Sequence, residues 1–278
     1  MRQNLITIQS AIDNFKALIE NAIRTNGVKG KTAIIRSSQP ILNIHEAVKS
    51  ELVKLGVNEK NIFPPLSTRT PELKLAGTMK QKNQDVCIVP NRMNPNSEVL
   101  KGGLLDKVVD TYGQAYTERI LCINVRSQIS SIQKNFDTLY ERTYAEAMNL
   151  HERCPDMCLG EVYMIAVPEY DDVLIKSKQI GFKPKNSELV EKYIKSFQAI
   201  NNRCDRNDHL YKYERACLLI VDFSQSPAKI YNSNAELIRD GLLPANTSVN
   251  YDGLSFNDFA INLLAAYNSR FKKNKSSH

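Results

Sequence analysis

Three polar side chains stand at alternate positions in the segment ERILCINVRSQISS, residues 118–131. The apolar run over 120–125 is typical of a buried strand, and it ends abruptly in polar residues. Asn124, Arg126 and Gln128 share a parity, so on a strand all three point to the same face. Packing gives a buried strand no reason to carry such a series, so this face is a candidate for chemistry.

An acidic residue preceded by two lysines opens a second apolar run, in GTMKQKNQDVCIVP. Asp85 begins this run, and Lys80 and Lys82 come shortly before it. If the two strands are neighbours, Asp85 meets Asn124 and Arg126 at one edge of a sheet. Carboxylate and amide oxygens suit Mg²⁺, and a guanidinium suits phosphate. The structural alternative is that Asp85 belongs to a turn and Asn124 caps a strand.

Other kinds of catalytic site find little support in the sequence. Cys154 and Cys158 are four apart, no second pair has zinc-site spacing, and the four histidines form no HxxxH pair. The sequence contains no GxxxxGK[ST], no GxGxxG and no GxSxG. A hydrolase with this sequence would therefore use water as the nucleophile and a hard metal to activate it.

The elements that must position these residues alternate between helices and strands. Apolar spacing predicts helices over 5–26, 41–56, 187–201 and 255–271, and a long helix within 131–154 whose apolar stripe runs from Phe136 to Met148. A short strand or extended piece is predicted for KTAIIRSS (31–38), and strands are predicted over 85–90, 119–125, 162–167 and 216–223. This order predicts an α/β fold with a mixed central sheet flanked by helices.

The combined order resembles the core of type II restriction endonucleases of the PD-(D/E)XK nuclease superfamily. In that family an aspartate begins one strand, an acid-x-lysine lies on the next, and a long helix follows. Asp85 is similar to the aspartate, INVRSQ carries Asn124 and Arg126 at the acid-x-lysine positions, and SSIQKNFDTLYERTYAEA is similar to the start of the helix. The resemblance covers about residues 40–170 and implies a restriction-endonuclease-like core with a variant D…NxR(xQ) site.

Two departures from the family pattern bear on the chemistry. Asn124 is neutral where a carboxylate is usual, although its carbonyl can still bind a hard cation beside Asp85. Arg126 replaces lysine and cannot lose a proton, so it can neutralise developing charge but cannot be a general base. Gln128 would hold water or contact a phosphate.

The missing carboxylate has several candidate sources. Glu46, on the helix before the core, is the first choice, and Glu98 and Glu161 are weaker ones. Asp106 or Asp110, nearer in sequence to Asn124, could replace Asp85 as the first aspartate. The expected DNA contacts are Lys80, Lys82, Ser130 and Asn135.

Composition is compatible with this function without requiring it. The chain has 278 residues and a net charge of +7, which suits a polyanion such as duplex DNA. We expect one nuclease domain over 1–278, with an N-terminal helical segment (1–39), a catalytic core (40–170), a C-terminal part completing the sheet (171–278) and a basic tail (271–278). The absence of a secretory signal and of an apolar run of membrane-spanning length predicts a cytoplasmic protein with reduced cysteines and no membrane contact.

The leading hypothesis is therefore a Mg²⁺-dependent type II endonuclease that cuts duplex DNA as a homodimer. The second is a DNA-binding protein on a catalytically decayed nuclease fold. The third is an α/β enzyme that uses Arg126 to anchor an acidic metabolite.

Overall fold

Six of the strands form one mixed sheet in the computed structural model, which describes residues 5–272. These strands are β1 Ile62–Phe63, β4 Val86–Ile88, β7 Leu121–Gln128, β8 Cys158–Ala166, β9 Arg215–Asp222 and β10 Lys229–Ile230. Their order in the sheet is β1-β4-β7-β8-β9-β10; β7, β8 and β9 run parallel, and the other pairs are antiparallel. Two small hairpins lie outside the sheet: β2 (Leu73–Ala76) with β3 (Gln81–Gln84), and β5 (Glu98–Val99) with β6 (Val109–Asp110).

Helices cover both faces of this sheet because its strands are apolar on both sides. They are α1 Ile8–Arg36, α2 Gln39–Lys54, α3 Gln114–Thr117, α4 Phe136–His151, α5 Asp172–Lys176, α6 Ser187–Ile200, α7 Asn234–Arg239 and α8 Phe256–Lys272. One core contains side chains of α1, α2 and α8, and the other contains side chains of α4 and α6. The predicted α/β class, with a mixed central sheet flanked by helices, is confirmed. No helix within residues 5–272 has the length and apolarity that a membrane crossing requires.

Two sequence predictions for the elements need correction. The segment predicted as a strand, 31–38, is helical as far as residue 36, because α1 resumes after a break at Asn26 and Gly27. Gly27 has φ +55° and ψ −133°, and a Cβ there would lie 2.8 Å from the carbonyl oxygen of Ile175. In addition, β7 extends to Gln128, so its polar residues lie within the strand and not beyond its end.

The two cores separate the side chains of β7 by parity. Leu121, Ile123 and Val125 pack on the side of α1, α2 and α8, whereas Cys122 packs on the side of α4 and α6. Asn124, Arg126 and Gln128 have the parity of Cys122 and therefore face α4 and α6. Part of the predicted tail, residues 273–278, lies outside the described residues.

Candidate active site

A row of three polar side chains crosses the sheet, from Asp85 at the bend just before β4 to Asn124 of β7 and Glu161 of β8. Asn124 of β7 pairs directly with Glu161 of β8. On its other side β7 pairs with β4, Val86 against Ile123, and extending this pairing by one residue places Asp85 opposite Asn124. The carboxylate of Asp85 is held in place because its Oδ2 accepts a hydrogen bond of 2.8 Å from the backbone N–H of Val125. The row therefore brings together two carboxylates and one amide.

Asn124 and Glu161 are buried, and three of their side-chain oxygens have no hydrogen-bond donor among the described residues. Asn124 is 2% exposed and Glu161 is fully buried. Within residues 5–272, no group donates a hydrogen bond to Asn124 Oδ1 or to either carboxylate oxygen of Glu161. Buried polar atoms usually have partners, because leaving one without a hydrogen bond costs about 1–3 kcal/mol. These three oxygens are therefore candidate ligand-binding groups.

Burial also controls the charge of Glu161. It raises the pKa of this carboxyl to about 8; the nearby negative charges of Glu146 and Asp85 act in the same direction, and Arg126 opposes them. Arg126 Nε lies 3.4 Å from Glu161 Oε1, so the two groups attract each other although they form no hydrogen bond. A carboxyl held close to neutral in this way gains most from a cation that can replace its lost hydration.

Arg126 is fixed by the helix that packs over the row. Its Nη1 donates to Thr143 Oγ1 at 2.9 Å, and its Nη2 donates to a carboxylate oxygen of Glu146; both partners lie on α4. Burial opposes the positive charge, but the carboxylates, led by Glu161, outweigh it and raise the pKa of Arg126. The guanidinium therefore stays charged and is aimed at the same region as the row.

Lys82 reaches this cluster from the hairpin β2–β3. Its Nζ lies 2.6 Å from Glu146 Oε1, the second oxygen of the carboxylate that binds Arg126. The carboxamide of Asn149, on α4, holds the turn of the hairpin: its Oδ1 accepts from the N–H groups of Met79 and Lys80, and its Nδ2 donates to the carbonyl of Lys80. The side chain of Lys80 itself is exposed.

The other two residues predicted to act at the site lie elsewhere. Glu46 accepts hydrogen bonds from Lys49 and from the backbone of Ser67, and it lies on α2, which packs against the opposite face of the sheet. Gln128 is 5% exposed: its Oε1 accepts from two tyrosine hydroxyls, and its Nε2 donates to the carbonyls of Ser131 and Ile132. All of its hydrogen-bonding capacity is used inside the core, which argues against the predicted role in holding water.

The remaining sequence candidates lie away from the row. Ser130 is half-buried and lines a cavity of about 300 Å³ between β7 and the turn joining α1 to α2, whereas Asn135 is exposed just before α4. Asp106 accepts from the backbone N–H of Gly102, and Asp110 and Glu98 are both bound by Arg153. Of the alternatives weighed for the missing carboxylate or the first aspartate, only Glu161 comes to the row.

By sequence alone Glu161 is a weak candidate and Glu146 is none. A signal for the first was present: one carboxylate in the otherwise apolar strand LGEVYMIAV is costly to bury and calls for an explanation. Glu146 gave a weaker signal, because it stands one helical turn after Thr143 at the edge of the apolar stripe of α4.

The oxygens of the row fit a hard divalent cation by their chemistry. Asp85, Asn124 and Glu161 offer carboxylate and amide oxygens, the ligands that Mg²⁺ and Ca²⁺ prefer. In the described part of the chain, no three histidine, cysteine, aspartate or glutamate side chains gather so that they could hold a metal ion. A cation here would therefore need the amide oxygen of Asn124 as its third protein ligand.

Comparison of the chain with protein-family models, with curated proteins and with solved structures found no significant match.

Proposed function

We propose that the protein is a Mg²⁺-dependent endonuclease of the PD-(D/E)XK type that hydrolyses phosphodiester bonds in duplex DNA, as a type II restriction enzyme does. The observation that carries this proposal is the row of Asp85, Asn124 and Glu161, with three buried oxygens that accept no hydrogen bond from the described residues. Arg126, charged and adjacent, supplies the group that such a reaction needs for a phosphate.

The residues of the row divide the work with Arg126. Asp85, Asn124 and Glu161 would hold Mg²⁺, which when bound supplies Lewis-acid polarisation of the scissile phosphate. Arg126 donates N–H groups to the phosphate and neutralises the negative charge that grows on it during attack by water. Because arginine stays protonated in proteins, Arg126 does not remove the proton from that water.

The family resemblance also implies a substrate and an oligomeric state. The substrate is duplex DNA with a short specific site, and the products carry 5′-phosphate and 3′-hydroxyl ends. A homodimer would match the two-fold symmetry of a palindromic site. The net charge of +7 favours DNA as a partner, and the proposed location is the cytoplasm.

The test is nicking of a supercoiled plasmid in Mg²⁺ with paired isosteric variants. Asp85→Asn and Glu161→Gln should each reduce nicking at least about 100-fold, because each removes a carboxylate from the row. Asp106→Asn is the matched control: it makes the same chemical change at the alternative aspartate, and it should nick like the wild type. If Asp85→Asn nicks at the wild-type rate and Asp106→Asn loses nicking, the catalytic site lies instead in the loop that contains Asp106.

A catalytically decayed DNA-binding protein is the second candidate, favoured by the ion pairs that Arg126 already makes with Glu146 and Glu161. A guanidinium engaged by two carboxylates has a structural role that needs no substrate. The same plasmid separates the candidates: a wild-type protein that binds DNA and leaves it supercoiled in Mg²⁺ and in Mn²⁺ is a binding protein.

A further inference from the structure

One carboxylate at the mouth of the site binds two cations from different elements. Glu146 Oε1 lies 2.6 Å from Lys82 Nζ of β3, and the other oxygen accepts from Arg126 Nη2 of β7. Thr143, one turn earlier on α4, accepts a further hydrogen bond from Arg126. The side chains of Lys82 and Glu146 are 34% and 15% exposed, so solvent reaches this cluster.

The ammonium of Lys82 and the guanidinium of Arg126 are arranged as a binding site for an anion, and the carboxylate of Glu146 occupies that site. A phosphate placed between an ammonium and a guanidinium binds by offering one oxygen to each, and Glu146 offers its two oxygens in the same way. These two cations are also the ones that the proposed function needs for DNA: Arg126 for the scissile phosphate and Lys82 for the approaching backbone. A phosphate that lies between the two nitrogens, with one oxygen towards each, takes the place of the Glu146 carboxylate.

We infer that Glu146 is an internal competitor of the substrate phosphate, occupying the anion site that Lys82 and Arg126 form in the free protein. This inference rests on the proposed function and names a regulation of the same site. On binding, the two cations exchange the carboxylate for the phosphodiester, and Glu146 returns to solvent. Displacing Glu146 costs free energy, so the protein binds less tightly any polyanion that makes no further contacts with it. Non-specific DNA is therefore disfavoured.

The test compares Glu146→Gln with Glu141→Gln, a change of the same charge at an exposed position on the same helix. The probe is a fluorescently labelled random-sequence duplex in EDTA, and the readout is its anisotropy at several salt concentrations. Glu146→Gln should bind about tenfold more tightly than the control, with a log–log salt slope steeper by about 1 to 2, because Lys82 and Arg126 both lose the carboxylate that competes with phosphates for them. Affinity and slope equal to those of Glu141→Gln, or weaker binding, would overturn the inference.

A second comparison, made in a chain that carries Lys82→Gln, tests whether the gain in DNA affinity depends on Lys82 and Arg126. In Lys82→Gln, the additional change Glu146→Gln should give a clearly smaller gain, because one of the two released cations is absent. An undiminished gain would show that Glu146 acts by net charge alone and would overturn the inference. If Glu146→Gln does not fold, Glu146→Asp carries the test: its shorter carboxylate should weaken the competition and give an intermediate gain.

Failure of this inference is distinguishable from failure of the proposed function. Tighter binding by Glu146→Gln together with no nicking by the wild type would keep the competitor and reject the nuclease. Nicking by the wild type together with unchanged binding by Glu146→Gln would keep the nuclease and reject the competitor.

Discussion

Replacing Glu161 by glutamine should make the protein more stable at alkaline pH and leave it nearly unchanged in acid. The carboxyl is fully buried, and its pKa is raised from an ordinary 4.5 to about 8 by burial. The folded protein therefore keeps this proton up to about pH 8, whereas the unfolded chain releases it near 4.5. Between these values the folded state binds more protons, so its stability falls as the pH rises.

The size of the effect follows from the same two values. The cost of keeping glutamate grows by about 1.4 kcal/mol for each pH step from 4.5 to 8 and levels off near 4–5 kcal/mol. Glutamine has the same shape and no charge to bury, so Glu161→Gln avoids this cost. Arg126 keeps its hydrogen bonds to Glu146 and Thr143, so the variant leaves no unpaired guanidinium to subtract from the gain.

The assay is urea denaturation in EDTA from pH 5 to pH 9, with Glu141→Gln as the control at an exposed position. The difference in unfolding free energy between Glu161→Gln and the wild type should increase with pH, and the control should show no such increase. A pH-independent difference would refute the reasoning. It would show that Arg126 compensates the charge of Glu161 fully and that the buried oxygens create no demand for a cation.

Three further predictions concern single residues. Asn124→Asp should lower the Mg²⁺ concentration for half-maximal nicking. Turnover is kept if Arg126 stays on the phosphate, and it is lost if the new carboxylate draws Arg126 away. An unchanged Mg²⁺ dependence would mean that Asn124 is not a ligand. Gln128→Leu should lower the urea-unfolding free energy by about 2–3 kcal/mol, because the Tyr163 hydroxyl loses its acceptor and the carbonyls of Ser131 and Ile132 lose a donor. A loss under about 0.5 kcal/mol would contradict the buried network. Glu214→Gln should lower the free energy of unfolding by up to about 3 kcal/mol at pH 7. Burial opposes ionisation of this carboxyl, but His151 and Arg270 outweigh it and lower the pKa of Glu214 to about 2. The stability that the carboxylate contributes is therefore present above pH 4.5 and is lost as the pH falls towards 2. Denaturation curves for Glu214→Gln and the wild type that do not converge in acid would contradict this sign.

Local patterns were sufficient for the five long helices and for four strands of the main sheet. The apolar stripe from Phe136 to Met148 predicted α4, and the apolar runs predicted β4, β7, β8 and β9 within a few residues. The segment 31–38 was predicted wrongly because short apolar runs fit a strand or a buried helix equally well. The packing of Ile34 against the core of α1, α2 and α8 decides in favour of the helix, and no local pattern contains that contact.

The site was less predictable because its contacts join distant parts of the chain. The common face of Asn124 and Arg126 followed from parity alone, and their side chains do face the same layer of helices. The place of Glu161 depended on which strand lies beside β7 and in which register, and neither is encoded locally. Glu46 was chosen because a helix before the core often supplies the carboxylate, but α2 packs on the other face of the sheet.

The distribution of the row over β7, β8 and the residue that precedes β4 determines where the chain can gain or lose residues during evolution. The connections between β4, β7 and β8 run outside the sheet, so insertions within 91–113 or 129–135 would leave Asp85, Asn124 and Glu161 side by side. A single residue inserted between Leu121 and Asn124 would instead turn Asn124 to the opposite face and bring a neighbouring apolar side chain to the row. Related chains could therefore differ greatly in loop length and share no linear motif, while keeping the spacing within each strand to the residue.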